Sequence, residues 1–186
     1  MDKTEEDLIL DILGGDANAY AVLVKRYQKP LFNLMLRMNL SEMDALDLTQ
    51  DAFVRAYEKL EAFNPSGRFF TWLYTIGLNL ARDFLRRAKR AQAHQSEMIA
   101  QCKDRSADST GGEGLVERLD ADRISESLGK LPLEYREAVI LRYHEGMPVK
   151  EIALALNLSV SGAKMRIHRG LLRLRDLLGG EKFDDR

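Results

Sequence analysis

The chain has 186 residues, 45% apolar and 31% charged, with a formal net charge of −1, a length that admits one or two small cores and not a large one. No apolar run approaches the roughly 20 residues of a membrane span, and the acidic start MDKTEEDLIL lacks the basic and apolar regions of a signal peptide, so a cytoplasmic protein without membrane insertion is expected. The single Cys102 allows no internal disulfide, and beside three scattered histidines it has no zinc-ligand spacing, so neither a metal site nor a cofactor is expected.

From Thr4 to about Arg90 the apolar spacing is helical, and alternating β-branched runs with tight hairpin turns are missing. Breaks fall at GGD (14–16), at NLSEMD, where Ser41 can cap the next helix, and at NPSG (64–67). Three or four packed helices follow from this. On a helical wheel the stretch GRFFTWLYTIGLNLARDFLRRAKR (67–90) places Phe69, Trp72, Leu73, Ile76, Leu80 and Phe84 on a core face, extended by Phe70, Tyr74, Ala81 and Leu85. A narrow polar stripe is left over, made of Thr71, Thr75, Asn79, Arg82, Arg86 and Lys89. Hydroxyls and an amide lead into arginines, an order suited to reading bases at one end and holding phosphates at the other. The loop before it, FNPSGRF, sets Asn64 and Arg68 between Phe63 and Phe69 and is either a plain connector or a pocket for an unstacked base.

From Ala91 to about Val116 the chain is polar, with no sustained apolar stripe, and reads as a linker. The expected architecture is all-α: a helical domain over 1–92, a flexible linker over 93–116 and a second small helical domain over 117–186. In the second domain two helical patterns are separated by Asn157 to Val160, with Ser159 placed to cap the latter one. This is helix-turn-helix spacing. Ala163, Ile167, Gly170, Leu171, Leu174 and Leu178 form the inward side of its last helix, whereas Ser161, Met165, His168, Arg169 and Arg173, flanked by Lys164, Arg166 and Arg175, form the outward one. Such a face suits a recognition helix in the major groove of DNA.

Charge is segregated along the chain: net −4 over 1–60, +4 over 61–96, −4 over 97–134, zero over 135–163, +5 over 164–175 and −2 over 176–186. Two basic islands in an acidic frame point to a polyanion partner, although a solvated helix face produces either island by itself.

DALDLTQDAFVRAYEKL (44–60), GRFFTWLYTIGLNLARDFLRR (67–87) and LPLEYREAVILRYHEGMPVKEIALALNLSVSGAKMRIHRGLLRLR (131–175), in that order, resemble the extracytoplasmic-function (ECF) group of bacterial sigma factors. The resemblance implies a subunit that binds core RNA polymerase, reads the −35 element as duplex with its C-terminal domain and the −10 element with its N-terminal domain, and assists opening to single strands. It implies no enzymatic activity and no catalytic residue, and it leaves room for an anti-sigma factor as a further partner. Carried over, Asp44, Asp47, Leu48, Gln50, Asp51 and Phe53 match the polymerase-docking segment. Phe63, Asn64, Arg68, Tyr74, Thr75, Asn79, Arg82 and Arg86 fall in the −10 reading region, and Ser161, Lys164, Met165, Arg166, His168, Arg169 and Arg173 in the −35 helix. Leu46 stands where an acid is usual in the family, Met147-Pro148 where Leu-Ser is usual, and VSGAK (160–164) replaces Val-Gly-Thr-Val-Lys.

Opening about ten base pairs costs roughly 14 kcal/mol at about 1.4 per stacking step, whereas each base captured on an aromatic surface returns about 1–3 kcal/mol. A chain of this size needs the polymerase to hold a bubble open. Two rival readings are a helix-turn-helix regulator with an N-terminal sensor domain, which leaves the stripe around Asn79 unused, and a metal-dependent nuclease built on Asp44, Asp47 and Asp51, which lacks a nearby His or Lys.

Overall fold

The structure, a computed structural model, describes residues 3–64, 67–98 and 115–179. Cys102, most of the expected linker, and Pro65 and Ser66 of the loop lie outside them. Capping residues set the helix starts. Thr4 and Asp7 exchange side-chain and backbone hydrogen bonds at the head of α1 (Glu5–Leu13), Asp16 caps α2 (Ala17–Arg37), and Ser41 Oγ accepts from the Asp44 backbone N–H at 3.2 Å to start α3 (Glu42–Glu58). A short 3-10 turn, Leu60–Ala62, leads towards α4 (Phe69–Met98). The linker was expected from residue 93, but α4 continues to Met98, because AQAHQSEM is rich in alanine and in unbranched side chains that tolerate a helix.

The C-terminal half contains α5 (Leu115–Lys130), α6 (Leu133–Tyr143), α7 (Val149–Ala155) and α8 (Val160–Leu177). The turn between α7 and α8 contains Asn157 at φ 53°, a left-handed position that asparagine tolerates, and Ser159 Oγ then accepts from the Gly162 N–H at 3.0 Å. Pro148 occupies the cap position of α7 and makes no side-chain cap there.

Leu23, Leu31, Leu34, Met35, Leu73 and Leu78 fill the N-terminal core, and Ala138, Ile140, Leu141, Ile152, Ala163 and Ile167 the C-terminal one. These belong to a single continuous apolar cluster. The two halves therefore pack on each other, α4 against α7 and the end of α2 against α5.

Arg136 of α6 ties the second unit together. Its guanidinium donates to the carbonyls of Leu128 (2.7 Å), Leu131 (3.0 Å) and Gly129, which end α5 and the following turn, and to that of Met38 (2.8 Å) at the end of α2. It thus satisfies carbonyls that a helix end leaves without intrahelical partners.

Two glycines mark close approaches of opposite character. A Cβ on Gly170 would lie 2.6 Å from Val139 Cγ2 and 3.2 Å from the Tyr135 carbonyl oxygen, so α8 sits on the backbone of α6. On Gly77 it would meet only the tips of Met35 and Leu31, at 2.8 and 2.9 Å. Gly170→Ala is expected to cost about 1–3 kcal/mol through overpacking. Gly77→Ala stays within about 1 kcal/mol of the parent, because flexible tips move aside and alanine favours the helix. Thermal melts of the two variants check this, and equal losses would contradict the distinction.

Candidate nucleic-acid interface

The aromatic residues at the head of α4 are packing. Phe69 is fully buried, Phe63 meets Phe69 and Trp72 with ring centroids 5.9 and 5.2 Å apart, and Tyr27 lies against Phe69 and Phe70. Phe63 and Tyr74 were expected on the −10 reading surface, and both are buried here. Phe63 is drawn into this ring cluster. Tyr74 lies beneath the C-terminal half, its hydroxyl donating to Glu145 at 2.8 Å. Burial beside that carboxylate pushes the phenol pKa up, and burial likewise raises that of Glu145 against the opposing effects of Tyr74 and Arg37.

The stripe on α4 is largely occupied from within the molecule. Arg82 makes a two-pronged pair with Glu137 of α6, Nε to Oε1 at 2.6 Å and Nη2 to Oε2 at 2.7 Å, with the Glu137 side chain only 2% exposed. Thr71 donates to Glu151 of α7 at 2.5 Å, and Arg68 pairs with the same carboxylate at 3.2 Å. Thr75 turns its hydroxyl onto the Thr71 carbonyl at 2.8 Å. Asn79 is exposed and accepts from Arg82 Nη1 at 2.9 Å, while Arg86, also exposed, pairs with Asp83 one turn away on α4. In the loop Asn64 is exposed, and its carbonyl accepts from the Gly67 N–H at 2.9 Å.

Sequence reading missed Glu137, Glu145 and Glu151. A signal was present for the first: Glu137 sits in the run REAVIL of α6, every residue of which is buried. A carboxylate in such surroundings requires a cation.

Of the second island, Ser161, Lys164, Met165, His168, Arg169 and Arg173 of α8 are exposed and Arg166 is half-buried. Arg166 reaches Glu134 at 3.9 Å, and Arg173 stacks over the Tyr135 ring at 4.8 Å. Lys164 and Arg169 form no ion pair among the described residues, so α8 offers exposed positive charge that no acid offsets there. Among those residues no group of three or more His, Cys, Asp or Glu side chains could hold a metal ion.

On α3, Asp47, Gln50 and Asp51 are exposed, whereas Leu48 and Phe53 are buried. Asp44 is half-buried and accepts from Ser41 Oγ at 2.5 Å, so it helps start the helix as well as facing outward. Between α2 and α3 runs an apolar groove of about 450 Å³ lined by Val24, Phe32, Leu46 and Phe53, with Lys29 and Gln50 at its sides. Leu46, 50% exposed, lies on its wall.

The model of sigma-70 region 2 matches residues 23–91, and that of sigma-70 region 4 matches residues 121–174. The ECF RNA polymerase sigma factor SigW of Bacillus subtilis is 34% identical over 91% of this chain and 94% of its own length. The chain belongs to the ECF sigma factors. The RNA polymerase sigma factor CnrH of Cupriavidus metallidurans is 33% identical over 97% of this chain and 98% of its own. A solved structure of CnrH with the cytosolic domain of CnrY matches 96% of this sigma factor and 99% of that chain, with a TM-score of 0.72 at 29% identity. As an ECF sigma factor the protein acts in transcription initiation, binding core RNA polymerase and directing it to promoters. No helix among its described residues is long and apolar enough to cross a membrane.

Proposed function

We propose that this ECF sigma factor reads the −35 element through α8, reads and helps to melt the −10 element through the 63–68 loop and the α4 stripe, and docks on the polymerase through the α2–α3 face. It works in the cytoplasm and carries no chemistry of its own. The observation that supports this most is α8, presenting Lys164 and Arg169 outward behind a capped helix-turn-helix turn, while on the other unit α4 leaves Asn79 and Arg86 of its stripe exposed. Two surfaces on two units fit two promoter elements. Asp47 and Asp51 beside the apolar groove suit a partner surface that is basic and apolar together. An anti-sigma factor is a further partner in this reading.

Gel filtration with core polymerase gives the first test, with co-elution expected. Transcription reconstituted on a library of genomic fragments then maps the start sites, and failure of both would sink the proposal. Contacts from α8 to about four phosphates predict a slope of log affinity against log salt near −3.6 on duplex DNA. A slope near zero is incompatible with it. For the stripe, Asn79→Ala is expected to alter which −10 bases are preferred, and Arg86→Ala to weaken binding on every sequence. Equal losses across all promoter variants for both would remove that division of labour.

A further inference from the structure

The α2–α3 groove is an apolar trough between charged banks of opposite sign. Thr49 and Phe53 are buried at its floor, and the Thr49 hydroxyl donates to the Ala45 carbonyl at 2.7 Å, so it asks nothing of an occupant. Val24, Phe32 and Leu46 form the walls of this space of about 450 Å³. Leu46 is 50% exposed, and Met43, one turn before it on α3, is 75% exposed. Two large apolar side chains held in water beside an apolar trough mark a surface built for a partner. Lys29 lies on the α2 side of the trough with Lys25 one turn before it, while Asp47 and Asp51 follow Leu46 and Gln50 round the outer side of α3. All four charges are exposed, and none is ion-paired among the described residues.

We infer that the groove is an anchor site for an amphipathic helix of core RNA polymerase, entered by bulky apolar side chains one helical turn apart, and that Leu46 is its specificity-determining residue. This rests on the proposed reading of the α2–α3 face as the polymerase dock, and adds what fills it and in which direction. The banks fix the polarity of the occupant. Its apolar stripe is edged by acids where it faces Lys25 and Lys29, and by bases where it faces Asp47 and Asp51. The same helix turned end for end brings like charges together, so the wrong orientation is repelled. Leu46 decides the character of the contact. An acid at this position, as is usual in the family, would carry the α3 bank into the trough and make the contact ionic and open to screening by salt. Leucine continues the trough up its wall instead, so affinity at this point comes from apolar burial. A side chain seated in such a pocket is the kind of anchor on which interface energy concentrates.

The test titrates the full chain, labelled at its N-terminus, with core polymerase from the native host and reads anisotropy at low and at high salt. Leu46→Ala is expected to bind about tenfold more weakly at both, from the lost burial of a half-exposed leucine, and Leu46→Met to recover most of the affinity. Asp47→Ala should lose more at low salt than at high. Lys25→Glu combined with Lys29→Glu is expected to weaken binding by about tenfold or more, since acids then meet acids. Thermal melts accompany each titration, and if Leu46→Ala melts early, Leu46→Gln replaces it under the same criteria. A Leu46→Ala variant within about twofold of the parent, beside an Asp47→Ala variant that binds poorly, leaves the docking face standing and overturns the anchor. A Leu46→Ala loss that fades as salt rises overturns it too. A lysine reversal without effect overturns the assigned polarity. Should every variant bind core polymerase as the parent does, the docking reading itself falls and takes the anchor with it. A parent that runs as a dimer in gel filtration, dissolved by Leu46→Ala, gives the groove to a second copy of the chain and overturns the assignment to polymerase.

Discussion

Replacing Arg136 by leucine is expected to lower stability by about 3–5 kcal/mol, the cost of removing one partner from a buried charged network. The side chain donates to four carbonyls, three of them in the α5–α6 corner. Each bond to a charged group is worth roughly 1.5–3 kcal/mol, and carbonyls left buried without donors lose their hydration as well. Burial lowers the pKa of this guanidinium from its usual value, but not enough to discharge an arginine near neutrality. Arg136→Lys is expected to recover only part of the loss, because an ammonium is a compact point donor and cannot span carbonyls arranged around a planar fork. Urea unfolding of the two variants decides the matter, and a loss under about 1 kcal/mol for the leucine variant would show that water replaces the staple.

The second large effect is on DNA. Lys164→Ala combined with Arg169→Ala is expected to reduce duplex promoter affinity by about a hundredfold, roughly tenfold for each contact, while leaving the melting temperature unchanged. Both side chains are exposed and neither is tied to an acid among the described residues. Arg173→Ala should behave differently. Its guanidinium covers the Tyr135 ring, so part of its effect appears as lost packing between α6 and α8. Anisotropy titrations at fixed salt, paired with thermal melts, separate the two patterns; a double variant that melts early without losing more DNA affinity than Arg173→Ala would refute the assignment of α8.

Local features were the ones legible in the sequence. Ser41 and Ser159 cap the helices their positions announced, α2 begins at the expected GGD break, and the turn at Asn157 separates α7 from α8 where the periodicity broke. Each depends on residues within about four positions of itself, which is the range over which capping and wheel arguments operate. The wheel also oriented most of α4, with Phe69, Leu73 and Leu80 inward, but Thr71 of its polar stripe is buried. What it could not supply was the occupant of the other side. Arg82 and Glu137 are 55 residues apart and Thr71 and Glu151 are 80 apart. No periodicity links positions on different helices; only packing brings them together. Tyr74 illustrates the gap, since its place at the edge of the apolar arc fits a buried ring equally with an exposed one, and the deciding bond comes from Glu145.

The distance along the chain between the two members of the Arg82–Glu137 pair has a consequence in time. During synthesis at about 5–20 residues per second, the 55 residues between them take about 3–11 s to appear. The N-terminal helices can collapse in far less than that. Each newborn molecule therefore passes through an interval in which α4 has folded and its acidic cover has not yet been made. For those seconds the side of α4 that Arg82 presents faces solvent, and it is closed off only when the helix carrying Glu137 arrives.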